Sequence, residues 1–245
     1  MSKVLVSDSV DQVGIDILKQ VAQVDVKTGL SEAEIIQIIP DYDAVMLRSA
    51  TKITEGIIQA GTNLKIIGRA GVGVDNIDVA AATRQGIVVV NSPEGNTIAA
   101  AEHALAMMMA LARHIPDANK SVKDSKWERK KFIGTEVYKK TLGVVGLGKI
   151  GSHVATVAKS MGMKLLAYDP FISQERADQL GCTLVDLDLL FTESDFITLH
   201  IPKTPETANL INADTLAKMK PTTRIINCSR GGIIEEDALV AAIEA

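Results

Sequence analysis

LGVVGLGKIGSHVATVAKS, residues 142–160, opens as a short apolar strand, turns through Gly146-Leu147-Gly148-Lys149-Ile150-Gly151, and continues into a helical run from Ser152 to Ser160. Strand, glycine-rich turn and helix in that order are what a dinucleotide-binding crossover needs. Gly146 permits the tight turn, Gly148 lets backbone come close to a pyrophosphate, and Gly151 lets helix and strand pack closely. Amides at the helix start then meet the phosphates, with Ile150 in the turn and Lys149 either beside the pyrophosphate or a solvated charge. Asp169 follows the next strand, 18 residues after Gly151, where a carboxylate accepts hydrogen bonds from a ribose diol. The same carboxylate repels a 2′-phosphate and has no adjacent arginine to offset it, so NAD is expected rather than NADP.

Outward from this turn, short β-branched runs alternate with amphipathic stretches, the pattern of βα units and a parallel sheet. Toward the N-terminus the expected strands are Lys3–Val6, Val24–Lys27, Ala44–Leu47, Lys65–Gly68 and Val88–Val90, with helices at 10–20, 31–39, 54–60 and 79–85. Ser31 and Glu34 have the spacing of a capping box. Toward the C-terminus, strands are expected at Leu142–Val145, Lys164–Tyr168, Phe196–Leu199 and Arg224–Asn227. Between the two blocks lie an Ala- and Met-rich helix, Thr97–Arg113, apolar on nearly every face, and a polar segment from Pro116 to Lys140 containing WERKK at 127–131. The helix is expected to be buried in a domain or subunit interface. The fold class is therefore α/β: two Rossmann- or flavodoxin-like doubly wound domains, 1–95 and 96–245, with a cleft between them.

With 26 basic and 30 acidic residues, a net charge of −4 gives no overall cationic surface for nucleic acid or anionic lipid. No apolar stretch approaches the roughly 20 residues of a membrane span. The N-terminus lacks a signal-peptide pattern. Cys182 and Cys228 lie 46 residues apart with no CxxC spacing, so neither a metal site nor a disulfide framework is indicated, and a cytoplasmic protein is expected.

Beside GLGKIG, the stretch LHIPKTPET (199–207) and the signature MKPTTRIINCSRGGIIEEDAL (219–239) resemble the D-isomer-specific 2-hydroxyacid dehydrogenases. RSATKIT (48–54), RAGVGVDN (69–76) and WERKK are similar to the branch of that family acting on 3-phosphoglycerate. The resemblance implies a substrate-binding domain made of the N-terminal block plus a returning C-terminal helix, absent here, with an NAD domain inserted between. It places His200, Ile201, Pro202, Thr207, Cys228 and Ser229 beside the cofactor.

Arg230, at the end of the strand IINCS, would stand at the sheet's carboxyl edge. There a planar guanidinium can hold a substrate carboxylate and polarise the C2 oxygen, which makes it the expected catalytic residue. Arg48 and Ser49 are expected to receive the phosphate. The backbone around Gly71, Val72 and Gly73 would receive the carboxylate, and Asn96 would add a contact. Arg129 is either part of a solvated charge run or, as the resemblance implies, reaches the substrate phosphate of a partner subunit in a homodimer or larger homo-oligomer. The family's proton-accepting His and its Glu lie past Ala245 in the pattern, and none of His103, His114, His153 or His200 corresponds. The chain as given is thus expected to bind NAD but turn over poorly. Two alternatives stay open: a dehydrogenase for glycerate, lactate or glyoxylate, and a NAD-sensing interaction protein like the corepressors that share this fold.

Overall fold

Short buried strands, each followed by a helix, build two separate parallel sheets in the computed structural model, which describes residues 1–245. The chain divides into two units, Met1–Asn96 and Thr97–Ala245.

The first unit runs β1 (Lys3–Val6), α1 (Gln12–Lys19), β2 (Gln23–Val26), α2 (Glu32–Ile38), β3 (Ala44–Leu47), α3 (Glu55–Ala60), β4 (Ile66–Arg69), α4 (Val79–Arg84) and β5 (Val88–Asn91). Its strand order is β2-β1-β3-β4-β5, so the chain reverses direction across the sheet between β1 and β3. That switch point is where open α/β sheets bind ligands. One sheet face contributes Leu5, Val45, Leu47 and Ile67 to a core shared with Ile35, Ile57, Ile58, Ala81 and Ala82 of α2, α3 and α4. Ser31 caps α2 through a reciprocal box, its backbone N–H donating to Glu34 Oε2 at 2.8 Å. On the opposite face Ile66, Val88 and Val90 remain 44%, 55% and 48% exposed. Ile66 and Val90 border an apolar trough of about 700 Å³, whereas parallel sheets are normally covered on both faces.

The second unit begins with α5 (Thr97–Arg113) and α6 (Ile115–Lys123). It continues β6 (Thr141–Val145), α7 (Lys149–Ser160), β7 (Lys164–Tyr168), α8 (Gln174–Leu180), β8 (Thr183–Leu184), α9 (Leu187–Glu193), β9 (Phe196–Leu199), α10 (Ala213–Lys218), β10 (Arg224–Asn227) and α11 (Glu236–Glu244). The order β10-β9-β6-β7-β8 is doubly wound about β6. Alternation along β6 serves both faces. Leu142 and Val144 pack with Ala101, Ala104 and Met108 of α5 and Val154, Ala155 and Ala158 of α7. Val145 packs with Leu190 and Phe191 of α9. No helix is long and apolar enough to cross a membrane.

Several expectations need correction. α7 starts at Lys149 rather than Ser152, and the polar segment after α5 contains the helix α6 and a 3-10 turn at Arg129–Phe132. The short strand β8 was not expected. β10 ends at Asn227, so Arg230 lies in the turn beyond the strand rather than at its end. Within this chain α5 is not buried all round: it buries one stripe, Ala101, Ala104, Met108 and Ala112, and leaves Ile98, Met107 and Leu111 open. His103, assigned to a buried helix, is itself exposed.

Candidate cofactor site and sheet-edge loops

In the second sheet Asn227 pairs with Leu199, Leu199 with Val145, and Val145 with Tyr168. The segments that follow, at 228, 200, 146 and 169, therefore leave the sheet along one carboxyl edge. The glycine turn and Arg230 both belong to this row.

The turn is held from both sides: Gly146 N–H donates to Tyr168 O at 2.9 Å, and His200 N–H donates to Val145 O at 2.8 Å. Gly146 has φ +92°, and a Cβ there would sit 2.7 Å from His200 O. A Cβ on Gly151 would collide with the carbonyl oxygen of Gly146, so both glycines are required by backbone packing. Gly148 differs: nothing lies within 4 Å of a Cβ added to it. It is the N-cap of α7, and no side chain caps that helix. Asp169 lies beside the turn, Oδ2 accepting from Leu147 N–H at 2.8 Å and Oδ1 from Phe171 N–H at 2.9 Å. An uncapped start of a 12-residue helix, an open glycine before it and a fixed carboxylate beside it fit the pyrophosphate and ribose of a dinucleotide.

The turn after β10 is closed by Asn227. Its Oδ1 accepts from Ser229 N–H at 3.0 Å and Ser229 Oγ at 2.8 Å, and its Nδ2 donates to Arg230 O at 2.8 Å. Arg230 Nη1 donates to Ser229 O at 2.9 Å. Cys228 is half-buried and burial pushes its thiol up, which fits a packing residue and not a nucleophile. Thr207 braces the loop that follows His200, Ile201 and Pro202: its Oγ accepts from Thr204 N–H at 2.7 Å and donates to Pro202 O at 2.7 Å.

His200 Nε2 lies 2.9 Å from Thr198 Oγ1, and burial pushes the imidazole down to about 4. The neutral ring is the working form at physiological pH. Because the folded-state value lies below the ordinary one of 6.5, folding excludes a proton the unfolded chain accepts. Stability should therefore fall as pH drops from about 6.5 to about 4, by on the order of 3 kcal/mol, and level off below that. Denaturant titrations of the protein and of His200→Gln across this window check it; the variant is expected to lose this part of the slope.

In the first sheet Val6 pairs with Met46, Leu47 with Arg69, and Arg69 with Asn91. Arg48 and Ser49, both exposed, follow β3, while Gly71, Val72 and Gly73 follow β4 and are half-buried. The residues that organise these loops were not singled out from sequence. Asp8, only 6% exposed, accepts from the backbone N–H groups of Arg48 (2.7 Å), Ala50 (3.2 Å) and Thr51 (3.1 Å) and from Thr51 Oγ1 (2.6 Å). Asn76 Nδ2 donates to Arg48 O at 2.7 Å and Thr51 O at 2.6 Å. Arg69 Nε donates to Arg48 O at 3.1 Å, and its Nη1 donates to Gly73 O. A polar residue directly after an apolar strand, as in VLVSD, is the signal that could have found Asp8.

Thus Gly146, Gly148, Lys149, Ile150, Gly151, Asp169, His200, Cys228, Ser229 and Arg230 share one edge of the second sheet, while Arg48, Ser49, Gly71, Val72 and Gly73 share one edge of the first. Asn96 is exposed in the segment that follows β5 from the first sheet's carboxyl edge, whereas Arg129 is exposed in the 3-10 turn 129–132, outside both rows of loops.

Residues 105–245 match the family model for the NAD-binding domain of D-isomer-specific 2-hydroxyacid dehydrogenases. A D-3-phosphoglycerate dehydrogenase from Synechocystis sp. is 91% identical over 244 residues, an alignment covering 100% of this chain and 44% of that protein. One from Archaeoglobus fulgidus is 54% identical, covering 99% of this chain and 46% of that protein. The chain spans just under half the length of these curated relatives. Among solved structures, the D-lactate dehydrogenase of Aquifex aeolicus complexed with NAD and lactic acid aligns with a TM-score of 0.89 at 30% identity, covering 98% of this chain and 73% of that one.

Proposed function

Because the chain belongs to the D-isomer-specific 2-hydroxyacid dehydrogenase family, whose NAD-binding domain it carries, we propose that it serves the NAD-dependent oxidation of 3-phospho-D-glycerate to 3-phosphohydroxypyruvate, the opening step of serine biosynthesis. The observation that carries this reading is the single carboxyl edge of the second sheet, which gathers the open Gly148, the fixed Asp169 and the Arg230 turn. The names of the relatives support the choice of acid.

The second unit is the NAD domain and the first the substrate domain. Asp169 accepts the ribose hydroxyls, the α7 amides meet the pyrophosphate, and the segments at 200–202, 207 and 228–229 flank the nicotinamide. Bound NAD supplies the hydride acceptor. Arg230 grips the substrate carboxylate with its planar fork and lowers the energy of charge on the C2 oxygen. Arg48 and Ser49 meet the phosphate, the Gly71–Gly73 backbone meets the carboxylate, and Asn96 adds a contact. The C2 hydroxyl proton goes to a His–Glu pair carried outside these residues.

The open apolar face of the first sheet supports its covering by a returning segment from outside residues 1–245. The open Ile98, Met107 and Leu111 of α5 support a homodimer or larger assembly. Within it we place Arg129 against the partner's substrate, and the enzyme in the cytoplasm, on the family resemblance alone.

The likeness to an enzyme solved with lactic acid favours a second reading, an unphosphorylated substrate. Thermal denaturation at saturating NAD separates them. 3-Phosphoglycerate should raise Tm well above D-glycerate at equal concentration. Arg48→Ala should weaken 3-phosphoglycerate binding roughly 10- to 100-fold, the loss of a charge-assisted fork, with little effect on D-glycerate. Equal shifts for both acids, unchanged in the variant, would favour the unphosphorylated substrate.

A further inference from the structure

We propose that Asp8 is a positioning residue: its buried carboxylate holds the 48–51 loop in the shape that presents Arg48 and Ser49 to a phosphorylated acid, and Asn76 and Arg69 lock that loop to the one at 71–73. The inference rests on the proposed function and goes further, from the residues that touch the substrate to those that preorganise them.

Asp8 stands at the switch point of the first sheet, just past β1 and beside the loop that leaves β3. A crevice at this position commonly offers backbone amides to an anion. Here the amides of Arg48, Ala50 and Thr51 are already turned onto an internal carboxylate. A substrate phosphate finds these three amides taken, and Arg48 and Ser49 are the exposed polar side chains of residues 48–51 that can meet it. Burial pushes the Asp8 carboxyl up, but the hydrogen bonds from Thr51, Arg48 and Ala50 outweigh it and hold the group below the usual carboxylate range. The loop is thus held by a permanent charge at working pH.

Asn76 makes the second tie. Both hydrogens of its amide are placed on carbonyls of the same loop, those of Arg48 and Thr51, while its Oδ1 is buried without a partner. An unmade buried hydrogen bond costs about 1–3 kcal/mol. What the Asn76 amide contributes here is two donors to one loop. Arg69 makes the third tie, bonding the Arg48 carbonyl on one loop and the Gly73 carbonyl on the other. The phosphate-facing and carboxylate-facing loops therefore form one preorganised receptor, which lowers the ordering cost of binding.

Asp8→Asn keeps the shape but turns an NH₂ toward amide donors. Calorimetric titration with 3-phosphoglycerate and with NAD, together with amide exchange at residues 48, 50 and 51, tests the role. Exchange in the variant is expected to quicken on the order of 100-fold. Affinity for 3-phosphoglycerate should fall about 10- to 30-fold while NAD affinity holds within about twofold. Thr51→Val, which removes only the hydroxyl donor, should move both readouts the same way by about threefold. Quickened exchange with unchanged 3-phosphoglycerate affinity overturns the proposal, as does unchanged exchange. Loss of affinity in Arg48→Ala but not in Asp8→Asn overturns only the positioning role. No loss in Arg48→Ala overturns the phosphate reading on which it rests.

Discussion

Gly151→Ala is expected to destabilise the second unit by roughly 3 kcal/mol or more and to abolish measurable NAD binding. The added methyl would collide with the Gly146 carbonyl oxygen, which is backbone and cannot swing aside. Relief requires α7 to move off β6, opening the packing of Val154, Ala155 and Ala158 on Leu142 and Val144. Gly148→Ala provides the contrast. Its methyl meets nothing within 4 Å, so the melting temperature should stay near that of the unaltered protein. NAD affinity should nevertheless fall by on the order of tenfold or more, because the methyl occupies the space the pyrophosphate needs. Circular dichroism melts and calorimetric NAD titrations on both variants separate a glycine the fold requires from one the ligand requires. Equal melting losses in the two would contradict the division.

Arg230→Ala should lower kcat/KM for the hydroxy acid on the order of 1,000-fold while leaving NAD affinity within about threefold, since the lost contacts are made most strongly as charge develops on the C2 oxygen. Arg230→Lys keeps the charge and loses the fork, and should recover no more than about tenfold of that loss. The turn that carries Arg230 is held by Asn227 through three hydrogen bonds independent of the guanidinium, so the variants should fold normally. Recovery of full activity by lysine would mean that charge alone matters and that bidentate orientation does not.

Much of the fold was legible because it rests on local pattern. β1, β3, β7, β9, β10 and α5 fall at their expected residues, each an apolar run bounded by polar or glycine signals. The start of α7 was displaced because a glycine is a poor helix former, and Gly151 reads as loop until close packing on Gly146 is seen to require it. α6 was hidden by its polarity: Lys120, Lys123, Asp117 and Asn119 dominate a helix that buries little more than Ser121. The partial exposure of α5 was not legible either, since an apolar composition says that a face is covered but not by what.

The glycine turn could be read because it answers a backbone requirement within a short span, and Asp169 because its spacing after Gly151 sets it beside that turn. For Asp8 the only local signal is its place after the apolar strand in VLVSD, and Asn76 and Arg69 carry none. Asp8 acts on amides about 40 residues away in sequence, brought to it only by the β1–β3 pairing. Its hydrogen bonds leave no periodicity in the chain. Arg230 was placed on the correct edge of the sheet but too close to the strand, a difference made by the Asn227-closed turn.

The most direct measurement is a calorimetric comparison of NAD and NADP binding by the protein and by Asp169→Ser. The dinucleotide site built from Gly146 to Gly151 and Asp169 predicts tight NAD uptake, at least about tenfold weaker NADP uptake, and a preference reduced or reversed once the carboxylate is gone. A well-folded sample that takes up no NAD, or a preference untouched by removing the carboxylate, would contradict it.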